Sequence, residues 1–145
     1  MLIEEFDRIK HEPEEVKELL SMAVGSPSPE KLVQLLDDFY MSASHILFIA
    51  RDNNDIVGVI GIDYTNRLSG IINHIAVIPD KRKRGFGSQL ISHVIKKLKL
   101  ESIEAETDQD AVNFYRACGF TTEEIKSLYP GVRRFRCIRH LMNLE

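Results

Sequence analysis

An apolar strand is joined to a helix, through a short basic loop that contains two glycines, in the segment Ile75-Ala76-Val77-Ile78-Pro79-Asp80-Lys81-Arg82-Lys83-Arg84-Gly85-Phe86-Gly87-Ser88-Gln89-Leu90. Pro79 has no amide hydrogen to offer a ladder, so it ends the strand. The first N–H groups of a helix have no partner within the helix and carry partial positive charge, so they bind phosphate. The segment therefore predicts a strand–loop–helix unit that binds a phosphate-containing ligand.

The loop also supplies positive charge of its own. Four consecutive cations, Lys81 to Arg84, precede the helix, while Gly85 and Gly87 lack side chains that would keep a ligand away from the backbone. A solvated surface loop is the plainer alternative for a run of charges. The helix start beside the two glycines favours a polyanion site instead.

Two other phosphate-binding loops fit this segment less well. A Walker loop requires Gly-Lys followed by Ser or Thr after four spacer residues, and the segment lacks it. The dinucleotide-binding fingerprint requires a third small residue where Leu90 stands, and its strand opens a βαβ unit early in the chain. Both are therefore disfavoured.

Helical and strand patterns follow one another along the remaining chain. Apolar residues at helical spacing predict helices that begin at Pro13 and at Pro29, the second capped by Ser28. Two more helices are expected near residues 90–98 and over 110–117. The predicted strands are 45–50, 56–64, 71–77, 102–106, 121–128 and 132–140, with a further strand at 2–9. This order predicts one α/β (α+β) domain over residues 1–145, with a mixed sheet and helices on both faces.

The composition is that of an ordinary soluble globular protein. The 145 residues are 43% apolar and 28% charged, with a net charge of −3, so no general attraction to nucleic acid or an anionic membrane is expected. Cys118 and Cys137 do not form a metal-type cluster, so no metal is expected and both thiols should be reduced. The N-terminus lacks an apolar secretion core, and no apolar run reaches the roughly 20 residues of a membrane span. A cytoplasmic location is the expectation.

Two motifs in the expected order resemble the GNAT superfamily of N-acetyltransferases. Arg82-x-x-Gly85-x-Gly87, after a strand that ends Ile75-Ala76-Val77-x-Pro79, is similar to the acyl-CoA signature of that family. The run Ala111-Val112-Asn113-Phe114-Tyr115-Arg116-Ala117-Cys118-Gly119-Phe120 resembles the family helix with the pattern A-x-x-x-Y-x-x-x-G-F. The resemblance covers about residue 46 to the C-terminus. It implies a mostly antiparallel sheet of six to seven strands, and acetyl-CoA as the cosubstrate.

The resemblance also assigns residues to an acetyl-CoA site. In the family, the strand matching 71–77 splays from its neighbour and its backbone binds the pantetheine arm, while the loop amides hold the pyrophosphate. Tyr115 matches a tyrosine that commonly protonates the departing CoA thiolate; a core aromatic beside Phe114 is its alternative role. The expected cofactor-binding residues are Ile75, Ala76, Val77, Arg82, Lys83, Arg84, Gly85, Phe86, Gly87, Ser88, Asp108 and Tyr115.

Two positions depart from the family pattern. Asp108 stands where many members have an asparagine that contacts the CoA arm, and an ionised carboxylate cannot donate a hydrogen bond. Ile71 stands where some members have a glutamate general base. No base is therefore inherited from the motifs.

The base candidates in this chain are His74, Asp63, Glu104 and Glu106, and the expected catalytic residues are Tyr115, His74 and Glu106. Strand alternation places His74 on one face with Ile72 and Ala76. Glu104 and Glu106 share a face, and two carboxylates in one cleft raise the pKa of one of them. A satisfied core histidine is the alternative for His74, and a water relay is the alternative to any base.

The mechanism implied is direct attack of a primary amine on the thioester. Asp37 and Asp38 would favour a cationic acceptor, whereas the last strand would favour an anionic one through Arg133, Arg134, Arg136 and Arg139. The acceptor is therefore left open, as a small molecule or a protein. A homodimer is possible because the last strands offer an exposed edge. Two rival functions remain: a catalytically weak acyl-CoA-binding sensory or partner module, and a phosphate- or nucleic-acid-binding domain.

Overall fold

The computed structural model describes residues 1–8, 10–24 and 27–141. Its helices are α1 (Pro13–Ala23), α2 (Pro29–Asp37), α3 (Phe86–Leu98) and α4 (Val112–Ala117). Its strands are β1 (Leu2–Glu5), β2 (His45–Asp52), β3 (Asp55–Asp63), β4 (Ser69–Val77), β5 (Ser102–Asp108), β6 (Thr121–Ile125) and β7 (Arg134–His140). Short 3-10 turns lie at Phe39–Met41 and Pro79–Lys81. In the described part of the chain, no helix is long and apolar enough to cross a membrane.

The seven strands form one sheet in the order β1-β2-β3-β4-β5-β7-β6. All neighbours are antiparallel except β4 and β5, which run parallel. One core layer lies between the sheet and α3 with α4, and includes Phe48, Ile60, Leu90 and Ile91. A second layer lies between β2–β4 and α1 with α2, and includes Val16, Leu20, Leu36 and Ile49. The predicted mixed sheet with helices on both faces is confirmed.

Several element boundaries differ from the prediction. The strand predicted over 2–9 is observed as Leu2–Glu5, and Ile9 lies outside the described residues. The helix predicted over 110–117 begins at Val112, because Asp108 Oδ1 accepts hydrogen bonds from the backbone N–H of Asp110 (2.9 Å) and Ala111 (3.2 Å) and holds them in a turn. The last two strands are shorter than predicted, so the loop between Ile125 and Arg134 is longer.

The pairing between β4 and β5 covers only a few residues. Ser69–Ile71 pair with Ser102–Glu104, and β4 then continues to Val77 without β5 as its partner. On its other side β4 stays paired with β3, and Ile78 N–H donates to Val57 O at 2.9 Å. Since successive residues of a strand direct their backbone groups to opposite neighbours, Ile75 and Val77 direct theirs into the gap between β4 and β5. The expected splay of this strand is present.

A bulge in β4 changes which face its side chains occupy. Gly61 pairs with His74 and Ile62 pairs with Ile72, so Asn73 is the extra residue. Ile72 therefore packs in the α3 layer, whereas Ala76 packs in the α1–α2 layer. The sequence predicted that His74 shares a face with Ile72 and Ala76, and this prediction was wrong for Ile72. The bulge reverses the alternation, and His74 faces α1 and α2.

The same bulge region depends on a glycine. The phenol ring of Tyr40 crosses β3 at Gly61, where a Cβ would overlap its hydroxyl, and the hydroxyl reaches His74 on the next strand. Gly61 thus leaves the space through which Tyr40 contacts β4.

We expect Gly61→Ala to lower the free energy of unfolding by about 1–3 kcal/mol, because the added methyl group must displace Tyr40. Urea denaturation measures the change. A double-mutant cycle with Tyr40→Ala is the control: without the tyrosine side chain, adding the methyl group should cost almost nothing. An equal cost in both backgrounds would show that the contact with Tyr40 is not the cause.

Candidate functional site

The loop before α3 has the backbone geometry of an anion site. Gly85 precedes the first residue of the helix with φ of 85°, a conformation that favours glycine, and its carbonyl accepts from Gln89 N–H at 3.0 Å. Lys83 also has positive φ, at 60°. Arg84, Gly85 and Ser88 are exposed, so the unpaired N–H groups at the start of α3 are accessible from outside.

The two glycines of the loop have different roles. A Cβ at Gly85 would have ordinary space, with Gln89 Nε2 its nearest neighbour at 3.9 Å, so its requirement is the backbone angle. A Cβ at Gly87 would lie 2.9 Å from the Phe114 ring. Gly87 therefore lets α4 pack closely against α3, which the ligand-based interpretation of this residue did not anticipate.

The four cations of the loop are not equivalent. Lys81 pairs with Asp52 at 3.4 Å. Arg82 folds back, donating from Nε to Val77 O at 2.9 Å and from Nη2 to Met22 Sδ at 3.7 Å. Lys83 and Arg84 are exposed. These last two are the cations best placed to meet a polyanion from solvent.

Tyr115 is a buried residue of α4. Its ring packs edge-on against Phe114 and Phe120, with centroids 5.1 and 5.3 Å away, and its layer of the core is bordered by Ile75 and Val77. Burial, with smaller contributions from Cys137 and Cys118, raises the pKa of its phenol well above the usual value near 10. Tyr115 therefore stays protonated at neutral pH and can act as a hydrogen-bond donor.

A cavity of about 780 Å³ lies between α2 and the strands, on the face opposite α3. His74 borders it, and the Tyr40 hydroxyl lies 2.5 Å from the His74 Nδ1 atom beneath. Burial lowers the pKa of His74, so its ring is neutral at neutral pH. The other lining residues are Val24, Lys31, Gln34, Leu35, Asp38, Phe39, Ser42 and His45.

His45 is a cavity residue that the sequence did not single out. Its Nδ1 lies 2.8 Å from Ser42 Oγ and its Nε2 lies 3.7 Å from Asp63 Oδ2. Hydrogen bonds from Thr65, and secondarily the charge of His45, hold the pKa of Asp63 below its usual value. Asp63 is therefore a poorer base than the sequence suggested. A second bulge, where Ala50 pairs with Gly58 and Arg51 with Ile56, brings His45 opposite Asp63.

The carboxylates of β5 do not form an isolated pair. Arg136 donates from Nε to Glu104 Oε2 at 2.9 Å, and its Nη1 lies 3.8 Å from Glu123. Arg136 therefore offsets the charge of Glu104, so Glu104 and Glu106 do not form the uncompensated pair of carboxylates that the sequence suggested. Glu106 is exposed on the part of the sheet face that α1 and α2 leave uncovered.

The charges expected to select an acceptor are also mostly paired. Arg133 donates to Glu124 at 2.8 Å, and Arg139 donates to Cys118 O at 3.1 Å. Asp37 forms an ion pair with Arg8, whereas Asp38 lines the cavity. Of the two aspartates expected to attract a cationic acceptor substrate, Asp38 is the one that lines the cavity.

This chain is similar to known proteins in both sequence and fold. The family model described as "Acetyltransferase (GNAT) family" matches residues 13–120. An uncharacterized N-acetyltransferase in the lysA 3′ region of Bacillus methanolicus is 30% identical over 73 residues, which are 50% of this chain. The match covers 61% of that relative, so the chain spans less than two thirds of its length.

Solved structures match over nearly the whole chain. An aminoglycoside 6′-N-acetyltransferase from Enterococcus faecium superposes with a TM-score of 0.79 at 16% identity, covering 100% of this chain and 99% of that one. A GNAT family acetyltransferase from Elizabethkingia anophelis with acetyl-CoA bound gives 0.69 at 22% identity, covering 97% of each chain. Because the family model matches residues 13–120, more than half of the chain, the chain belongs to the acetyltransferase (GNAT) family.

Proposed function

We propose that this protein is an N-acetyltransferase that transfers the acetyl group of acetyl-CoA to a primary amine of a small molecule or a protein. The observation that carries the proposal is the gap between β4 and β5, into which Ile75 and Val77 direct their backbone groups. Unpaired strand backbone binds extended amide-containing ligands well. Pantetheine is such a ligand, because it contains two amide groups along a flexible arm.

The residues around the gap fit the other parts of acetyl-CoA. The amides of Arg82 to Ser88 would hold the pyrophosphate at the start of α3, with Lys83 and Arg84 adding charge. The Val77 carbonyl is held by Arg82 in this structure, so that side chain would shift to release it to the arm. Asp108 gives Oδ1 to the turn before α4, which leaves Oδ2 as its acceptor for the ligand. The acetyl-CoA bound to the Elizabethkingia structure supports the choice of ligand.

The reaction proposed needs no covalent enzyme intermediate. The amine nitrogen forms a C–N bond to the thioester carbonyl carbon, and the C–S bond breaks with its electron pair leaving on the sulfur. The amine gives one proton to a base, and the CoA thiolate takes one proton from solvent after it leaves. Tyr115 is the proposed donor to the sulfur. Because burial makes its phenol less acidic than a thiol of pKa near 8.5, it would stabilise the thiolate by a hydrogen bond more readily than by full proton transfer. Glu106 or a water held by it would take the proton from the amine.

A catalytically weak acyl-CoA-binding module is the second candidate. The observations in its favour are that Asp63 has a lowered pKa, that Glu104 is paired with Arg136, and that Ile71 replaces the glutamate of some relatives. Such a module would bind acetyl-CoA without turnover.

We expect Gly85→Asp to weaken acetyl-CoA binding at least tenfold, about 1.4 kcal/mol, because a carboxylate would stand beside the pyrophosphate. Isothermal titration with acetyl-CoA, CoA and ATP at two salt concentrations measures it. Gly85→Asn is the matched control, since asparagine also tolerates positive φ but has no charge. Its affinity for acetyl-CoA should fall much less than that of Gly85→Asp. Weak, salt-sensitive binding of all three ligands alike would instead support a general polyanion site.

Tyr115→Phe should lower kcat by about 10²-fold or more while leaving the affinity for acetyl-CoA nearly unchanged, because only the donor to the sulfur is removed. Thiol release with a panel of glycinamide, benzylamine and spermidine measures turnover. Tyr129→Phe, at an exposed tyrosine in the loop between β6 and β7, is the control. Acetyl-CoA binding without turnover of any amine by the unmodified protein would favour the weak binding module.

A further inference from the structure

We propose that His74 is a hydrogen-bond donor to the thioester carbonyl oxygen of acetyl-CoA, and that Tyr40 is the positioning residue that keeps the His74 proton on Nε2. This inference rests on the proposed function, because the carbonyl oxygen belongs to its substrate. It replaces the role of general base that the sequence offered for His74.

Three features of the fold place the ring. The bulge at Asn73 turns His74 away from the α3 layer and toward the cavity. Gly61, its partner on β3, has no side chain and leaves room for the Tyr40 phenol. The Tyr40 hydroxyl then meets the Nδ1 atom of His74, so Nε2 is the ring nitrogen left for a molecule in the cavity.

The proton on Nε2 follows from the hydrogen-bonding needs of Tyr40. Tyr40 is a buried residue, and burial raises the pKa of its phenol far above the usual value, so it keeps its proton. Among the described residues, His74 is the hydrogen-bond partner of that hydroxyl. If Nδ1 carried the imidazole proton, both groups would offer a hydrogen and the buried phenol would have no acceptor. The favourable arrangement has the phenol donating to Nδ1, which puts the proton of a neutral imidazole on Nε2.

The surroundings of His74 keep its ring neutral. Its own element offers no charged side chain beside it, and desolvation lowers its pKa. The groups that face it from other elements are Tyr40 and the ring of Phe39 from the 3-10 turn, with His45, Asp38 and Lys31 elsewhere on the cavity wall. A neutral ring with a proton on Nε2 can donate a hydrogen bond but has no free lone pair to accept one.

The thioester oxygen is the group that such a donor suits. The attacking amine must lose a proton and needs an acceptor, which Nε2–H cannot provide. The carbonyl oxygen gains negative charge during the attack, and a fixed hydrogen-bond donor stabilises that charge. His74 directly precedes Ile75, whose N–H points into the gap that would hold the pantetheine arm. The side chain of His74 and the backbone of Ile75 would approach the same oxygen from different directions.

The first measurement is the tautomer of His74 in the full chain, by long-range ¹H–¹⁵N correlation on protein with ¹⁵N-labelled imidazole rings. The chain has five histidines, and the His74→Gln spectrum assigns the signal that disappears. We expect the proton on Nε2 and an unprotonated Nδ1, and in Tyr40→Phe we expect the population to shift toward the Nδ1–H tautomer. A His74 ring with its proton on Nδ1, or one that is doubly protonated at pH 7, would overturn the proposal.

The second measurement is the ¹³C shift of the thioester carbonyl of [1-¹³C]acetyl-CoA bound to the protein. A downfield shift from the free ligand is expected. It should be smaller in His74→Leu, where only the Ile75 N–H remains as a donor, and retained in His74→Gln, whose amide offers a donor in a similar place. An equal shift in the unmodified protein and in His74→Leu would exclude the donor role. Acetyl-CoA that fails to bind the unmodified protein would remove the proposed function itself, whereas binding with the wrong tautomer would overturn only this inference.

Discussion

Backbone hydrogen bonding between β4 and β5 ends after Ile71 and Glu104, and this single interruption organises the site. Before this point in β4, the parallel pairing with β5 joins the two halves of the sheet. After it, β4 is paired with β3 only, so Ile75 and Val77 direct unpaired backbone groups into a gap. Unpaired strand groups are costly when buried away from water, so such a gap suits a ligand that supplies the missing partners. The loop after β4 and the start of α3 then lie at the open end of that gap.

Each face of the gap presents different chemistry because β4 carries a bulge. On the α3 side, Tyr115 lies in the apolar core and Gly87 lets α4 approach α3. On the opposite side, His74 borders a cavity with Asp38 and His45, while β5 and β7 present a row of paired charges around Arg136. A cosubstrate lying in the gap and an acceptor entering from the cavity side would meet at β4. This separation is what direct transfer between two substrates requires.

The sequence predicted the strand–loop–helix unit, the element order and the sheet type, because these depend on local patterns such as Pro79 after an apolar strand and glycines before a helix. It could not predict the two bulges. In β4, for example, apolar residues occupy both faces, so the reversed alternation after Asn73 cannot be recognised from the order of apolar side chains. Both errors about the site have this origin: His74 was placed on the face of Ile72, and the pairing of His45 with Asp63 was missed. Contacts between residues far apart in sequence, such as Arg136 with Glu104 and Phe114 with Gly87, could not be predicted from local patterns either.

Hydrogen exchange at single amides tests the role of the gap most directly. Without ligand, the amides of Ile75 and Val77 should exchange much faster than those of Ala76 and Ile78, which are directed toward β3. Saturating acetyl-CoA should slow Ile75 and Val77 selectively and change Ala76 and Ile78 little. If all four amides exchanged alike in the free protein, or if acetyl-CoA bound without protecting Ile75 and Val77, the backbone of β4 would not be the binding element.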